Sequence, residues 1–147
     1  MTQDRIIEAR SRPAEVLIDT MVLVSIRAEA GRCYPAEAIG LLAGTVHSGQ
    51  MRVSEAVPLT NLADDPRMGV RVGRAECDRA LAGLAARGKE AIGAYHSHPD
   101  GVAEPSTEDT AQGAGLEIVA SATMLGSGVV RAWWLERGHP PVELEVP

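Results

Sequence analysis

Phenylalanine is absent from this chain of 147 residues, and aromatic residues make up only 3% of it. Tyr34, Tyr95, Trp133 and Trp134 complete that set, so a core has to be built from aliphatic side chains. No apolar run approaches the roughly 18 residues that a membrane-spanning helix needs. The opening "MTQDRIIEARSRP" lacks the apolar stretch of a secretory signal. A cytoplasmic protein away from membranes is the expectation. No Lys/Arg cluster stands out and the net charge is -6. With few rings available for stacking, this argues against nucleic-acid binding, which needs a basic footprint. Cysteine is scarce as well. Cys33 and Cys77 are far apart and form no CxxC, which in a cytosolic chain reads as reduced, buried thiols.

What is present is a hydrophobic share of 45% in a length that suits one domain with a sizeable core. There is no internal repeat and no low-complexity linker, so residues 1–147 are expected to form a single domain, with the polar residues 1–13 loosely held. After Asp19 as N-cap, Val22, Ile26 and Ala30 recur at helical spacing, and Gly31 is expected to stop that helix. "AIGLLAGTVH" and "MRVSEAVPL" flank "SGQ", the pattern of a β-hairpin, and "GVRVG" offers a further short strand. In "RAECDRALAGLAARG", Cys77, Ala80, Leu81 and Leu84 share a helical face, and Gly88 suits the C-terminal cap. "EAIGAYHSH" reads as a strand and "STEDTAQGAG" as a short helix capped by Ser106. "LEIVASATML", "GVVRAWWLE" and "PVELEV" follow as three strands separated by Gly- or Pro-containing turns. Helices bracketing mostly hairpin-connected strands predict a mixed α/β (α+β) domain with one sheet.

The chemistry concentrates in "YHSHPDGVAEPSTEDT". On a strand, side chains alternate faces, so His96 and His98 project from the same side and can share a metal ion without bending the backbone. Asp109, in the first turn of the following helix, is the nearest natural third ligand. Two His and one carboxylate leave one position of a tetrahedral zinc open, the pattern of a catalytic site. Ser106 and Asp109 equally match a capping box, a purely structural use of the same residues. Tyr95 and Ser97 point to the opposite face, Pro99 ends the strand, and His47 and His139 sit beside turn residues as surface side chains. In "YPAEAIGLLAG", Glu37 lies beside an aliphatic strand. It is either a solvated helix-end residue or a carboxylate with a raised pKa suited to proton transfer. Trp133 and Trp134 are adjacent, so one packs inward and the other is left to pack or to touch a substrate.

Glu37-Ala-Ile-Gly-Leu-Leu-Ala-Gly, followed by His96-Ser97-His98-Pro99 and then Ser106-x-x-Asp109, closely resembles the JAMM (MPN-plus) metalloprotease family. The His-x-His-x7-Ser-x2-Asp spacing matches that family's signature without insertion or deletion, and the likeness runs over nearly the whole chain. The resemblance implies a mixed, mostly antiparallel central sheet flanked by helices, of the MPN, cytidine-deaminase-like kind. It implies one Zn²⁺ held by His96, His98 and Asp109, Glu37 as general base, and Ser106 as donor to the developing oxyanion. It further implies a peptidase or isopeptidase acting on a ubiquitin-like protein, by deconjugation or by trimming a tail to expose Gly-Gly. The chain lacks room for the large insertions of eukaryotic deubiquitinases and looks like the minimal bacterial or archaeal form. The alternative from another class is a non-catalytic module of the same fold that binds a ubiquitin-like partner. A cupin-like iron oxygenase fits less well, because its triad begins His-x-Asp/Glu.

Overall fold

The computed structural model describes residues 10–146. The expectation for residues 1–13 therefore lies largely outside the described residues, and residues 10–13 have no regular structure. The chain runs β1 (Glu15–Ile18), α1 (Thr20–Cys33), β2 (Ile39–His47), β3 (Gln50–Leu59), α2 (Arg74–Ala86), β4 (Glu90–Pro99), α3 (Thr107–Gln112), β5 (Gly115–Thr123), β6 (Gly126–Leu135) and β7 (Val142–Leu144). The strands of the described residues join one sheet in the order β1-β3-β2-β4-β5-β6-β7. Among the described residues, only the β1–β3 and β4–β5 pairs are parallel. The expected mixed, mostly antiparallel sheet flanked by helices is the observed architecture.

Local chemistry accounts for most of these elements. Ser48 and Gly49 both take positive φ, 48° and 77°, which is the geometry of a two-residue hairpin turn between β2 and β3. At the end of α2, the Gly88 N–H donates to the Ala85 carbonyl and the Lys89 N–H to that of Leu84. With Gly88 at φ 70°, this is a Schellman cap. In α1 the predicted face of Val22, Ile26 and Ala30 is buried. Asp19 sits at the N-cap without a side-chain capping bond, because its carboxylate pairs with Arg52 at 3.1 Å instead.

Two expectations need correction, and one strand was not anticipated. Gly31 does not stop α1, which continues to Cys33. A Cβ at Gly31 would stand 3.4 Å from the Ser127 nitrogen, so the glycine lets the helix lie close against the start of β6. The helix ends instead just before Pro35, whose ring disfavours helical geometry in the preceding residue. "GVRVG" is not a strand but part of the irregular segment between β3 and α2, where an asparagine side chain takes the backbone bonds that a ladder would have used. Strand β1 has no counterpart in the sequence reading.

The core is aliphatic, as the composition requires. Its larger part lies between α1 and the sheet and contains Val22, Ile26, Leu42, Met51, Ile92, Ile118 and Trp134. A smaller cluster on the other face packs Ile39, Leu41, Leu59 and Ala94 with Cys77 of α2. Cys33 is half-buried and Cys77 buried, and both are free thiols. Among the described residues no helix is long and apolar enough to cross a membrane.

Gly40 and Tyr95 are paired neighbours on β2 and β4, and a Cβ at Gly40 would land in the Tyr95 ring. Tyr95 is the largest fully buried side chain. Gly40→Ala should therefore force the ring aside and lower stability by about 1–3 kcal/mol, the usual cost of overpacking. Urea denaturation measures this, and a shift below 0.5 kcal/mol, as is usual for surface substitutions, would contradict the packing described.

Candidate metal centre

Strand β4 is interior to the sheet, and its residues Ile92–Ser97 are buried. His96 and His98 lie on the face of Ala94, towards α2, while Tyr95 points into the α1 side. The hydroxyl of the buried Ser97 accepts the Ala38 N–H at 2.8 Å, and the Ser97 N–H donates to the Ala38 carbonyl at 3.0 Å. These two bonds carry the β2–β4 pairing past Ile39 and set Glu37 beside the histidines. Beyond Pro99 the chain crosses over to reach the parallel strand β5. The crossover contains α3 and brings Asp109 back over the end of β4.

His96 Nε2, His98 Nε2 and Asp109 Oδ2 converge. The two nitrogens are 3.0 Å apart, and Asp109 Oδ2 lies 3.1 Å from His96 and 3.2 Å from His98. A tetrahedral ion with bonds of about 2.0–2.1 Å to N and O needs its ligand atoms roughly 3.3 Å from one another. The cluster is within a few tenths of an ångström of that requirement. His96, His98 and Asp109 form a group able to hold a metal ion, and its donor set is compatible with zinc.

Each of the three side chains is oriented from behind. His98 Nδ1 lies 2.9 Å from the Val102 carbonyl, which can only accept, so the Nδ1 proton faces it and Nε2 is left for coordination. His96 Nδ1 lies 2.6 Å from Glu117 Oε1 on β5. Asp109 is held by a complete capping box. Its N–H donates to Ser106 Oγ at 3.0 Å, and its Oδ2 accepts the Ser106 N–H at 2.8 Å. The capping and ligand readings of these residues are thus compatible, since the box aims Oδ2 at the histidines. Ser106 Oγ accepts in that box and keeps its own proton to donate, and the residue is exposed.

Burial opposes a charge on His96, but its hydrogen bonds with Asp109 and Glu117 outweigh this and push its pKa up to about 10. The hydrogen bond to Asp109 raises His98 as well, against its burial. Burial raises the Asp109 carboxyl, yet the contacts with both histidines hold it below the usual carboxylate range. Burial raises the pKa of Glu37, opposed by His96 and His98 and assisted by Asp109, which places its carboxyl within the field of the cluster.

The loop between His98 and Asp109 is tied at several points. Tyr34 donates its hydroxyl proton to Asp100 at 2.8 Å, and Arg131 pairs with Glu104 at 3.4 Å. Trp133 Nε1–H donates to the Ala103 carbonyl at 3.0 Å. Of the two tryptophans, Trp134 is buried in the core and the half-buried Trp133 holds this loop. His47 and His139 are exposed.

Sequence reasoning did not find Glu117 or Asn61. The first was visible only as an acid inside the apolar "LEIVASATML", and the second as a turn-forming residue after β3. The Asn61 Nδ2 group donates to the carbonyls of Glu37, Pro66 and Gly69 at 3.1, 3.3 and 2.9 Å. Its Oδ1 accepts the N–H groups of Ala63 and Arg71 at 3.0 and 3.2 Å. The Glu37 N–H donates to Pro66 O at 2.7 Å, so one amide ties the whole segment to the backbone of Glu37.

Taken together, a mostly antiparallel seven-stranded sheet with flanking helices carries a His-His-Asp centre between a central strand and its crossover. Residues 20–136 match the family described as prokaryotic homologs of the JAB domain, and the chain belongs to that family. It is 37% identical over 75 residues to a protein of Haloferax volcanii named desampylase, covering 51% of this chain and 52% of that one. The match thus spans about half the length of that relative. It is 30% identical over 118 residues to a Thermus thermophilus protein named probable TtuB-protein conjugate cleaving protease, covering 80% of this chain and 74% of the other. Among solved structures, a Desulfitobacterium hafniense protein superposes with a TM-score of 0.75 at 24% identity, covering 90% of this chain and 91% of that one. A JAB1/MPN domain protein from Archaeoglobus fulgidus gives 0.54 at 22%, covering 88% and 97%. These structural likenesses speak to the fold.

Asn61→Ala removes a half-buried hub and leaves several backbone groups without their partner. A stability loss of about 1–3 kcal/mol is expected, with faster amide hydrogen exchange at Ala63 and Arg71. Exchange unchanged at both amides would contradict the clamp.

Proposed function

We propose that the chain is a zinc-dependent peptidase or isopeptidase that cuts after the C-terminal Gly-Gly of a ubiquitin-like protein. The observation that carries the reading is the convergence of His96 Nε2, His98 Nε2 and Asp109 Oδ2 within 3.0–3.2 Å beside a second, raised carboxylate. The names of the Haloferax and Thermus relatives, a desampylase and a conjugate-cleaving protease, support removal of a protein modifier from its conjugates.

His96, His98 and Asp109 would hold the zinc ion, which when bound supplies a Lewis acid that makes water reactive near neutral pH. Glu37 takes the water's proton as general base. The raised pKa of Glu37 suits that task, because it makes the carboxylate a stronger base towards the water's proton, which is then passed to the leaving amine. That second transfer matters, since an unprotonated amine is a poor leaving group. Ser106 directs its free O–H at the oxygen of the attacked carbonyl and stabilises the charge that develops there without adding charge of its own. The loop 100–106, tied by Trp133, Tyr34 and Arg131, forms one wall of the approach. A substrate tail lying extended against such a wall favours glycines at the cut, where side chains would collide. The same chemistry serves deconjugation from lysine and trimming of a tail.

Zinc analysis should find about one ion per chain in the parent and none in His98→Ala. Glu37→Gln should keep its zinc and its fold yet lose about 10²–10⁴-fold in activity, because an amide cannot accept the proton. Ser106→Ala should lower kcat by about 10²-fold or more, beyond the stability loss of about 0.5–2 kcal/mol from the broken cap. The substrate class is tested with two reporter fusions of a ubiquitin-like protein, one ending in Gly-Gly before the cut and one in Val-Val. Selective cleavage of the first is expected. Equal cleavage of both, or efficient digestion of casein, would leave a general metallopeptidase. Binding of the ubiquitin-like protein without any cleavage would leave a recognition module.

A further inference from the structure

The two histidines are supported in different ways. His98 Nδ1 meets the neutral backbone carbonyl of Val102 at 2.9 Å, whereas His96 Nδ1 meets the Glu117 carboxylate at 2.6 Å. The second contact is shorter than the usual range for a charge-assisted N–H···O bond, about 2.7–2.9 Å. Glu117 stands on β5 opposite Ala94 of β4 and Trp133 of β6, inside an otherwise apolar strand, with its side chain 17% exposed. A carboxylate in such a position carries a desolvation cost that needs a partner. It also fills a need of its neighbour. Strand β5 lies between β4 and β6, so its carbonyls are engaged in the ladders, and an acceptor for the imidazole has to be a side chain.

Three other roles for Glu117 conflict with this placement. It is not a fourth ligand, because it sits at Nδ1 on the far side of the ring from Nε2, where the ligand atoms converge. For the same reason it cannot reach a water or a peptide bond at that centre, so it is not an alternative to Glu37. It is not a general surface charge either, since His96 is 5% exposed.

We infer that Glu117 is a positioning residue for the metal centre. It holds the Nδ1 proton of His96, fixes the tautomer whose Nε2 lone pair faces His98 and Asp109, and supplies a second negative charge beside Asp109 to balance a divalent ion. Carboxylate support of this kind also makes the imidazole a better donor to the metal. The inference rests on the zinc reading above and concerns how tightly the ion is held.

The test uses zinc itself, with affinity read by competition against a chromophoric chelator on the full chain. The parent, Glu117→Gln and Glu117→Leu form a series. Gln keeps the acceptor and loses the charge, and Leu loses both. The loss of such a partner commonly weakens metal binding about 10–100-fold. The dissociation constant should rise about tenfold in Gln and approach 100-fold in Leu. In the zinc-loaded proteins, the nitrogen-15 NMR signal of a protected His96 Nδ1–H should persist in the parent and in Gln and disappear in Leu, a change that general destabilisation would not produce. Gln is isosteric, so the series remains decisive if Leu fails to fold. Zinc binding in Gln within twofold of the parent, together with an Nδ1–H that survives in Leu or is already absent in the parent, would overturn the inference. A parent that binds zinc no better than a His96→Ala/His98→Ala variant would overturn the metal reading itself, and this inference with it.

Discussion

Parallel neighbours in a sheet cannot be joined by a tight turn, and β4 and β5 are such a pair. The chain leaving β4 at Pro99 has to travel out of the sheet before it can return as β5. That excursion places a short capped helix above the end of a strand carrying two histidines on one face. A tight β4–β5 hairpin would have no segment from which Asp109 could approach the imidazoles. The register also sets Glu117 behind His96, because Glu117 pairs with Ala94 and so shares the sheet face of Ala94, His96 and His98. The centre is thus a consequence of one pairing choice in the middle of the sheet.

Satisfying buried polar groups then determines the details. An interior strand with two imidazoles would be costly unless every ring nitrogen had a partner. The partners are of three kinds: a loop carbonyl for His98, a carboxylate from the next strand for His96, and a shared capping carboxylate between them. Asp109 Oδ2 serves the box and the histidines at once, so the turn that starts α3 and the group that faces the histidines are one feature. On the other side of the centre, Asn61 fixes the backbone of Glu37 through a single amide. Glu37 therefore stands on a tied segment rather than a free loop.

Local signals carried much of this. The alternation of His96 and His98, the Ser106-x-x-Asp109 cap, the hairpin at Ser48–Gly49 and the Gly88 stop are written within a few residues of where they act, and each appears in the structure as read. What was not legible depends on distant partners. The pairing of β1 with β3 joins Glu15 to Gln50 without any turn chemistry to announce it. Gly31 looked like a helix stop because its packing against Ser127 is invisible in the local pattern. "GVRVG" has strand-like alternation, but Asn61 diverts its backbone bonds. Glu117 looked like a polar interruption of an apolar strand until β4 lay beside it. The grouping of His96, His98 and Asp109 was therefore readable from the motif, while the groups that orient them required the sheet.

The central claim is that two imidazoles and one carboxylate of this chain surround a zinc ion. X-ray absorption at the zinc edge of the loaded protein tests it most directly. The account predicts a nearest shell of N and O atoms at about 2.0–2.1 Å, with multiple scattering from two imidazole rings. A sulfur shell near about 2.3 Å, drawn from Cys33 or Cys77, or a spectrum without imidazole scattering would contradict it.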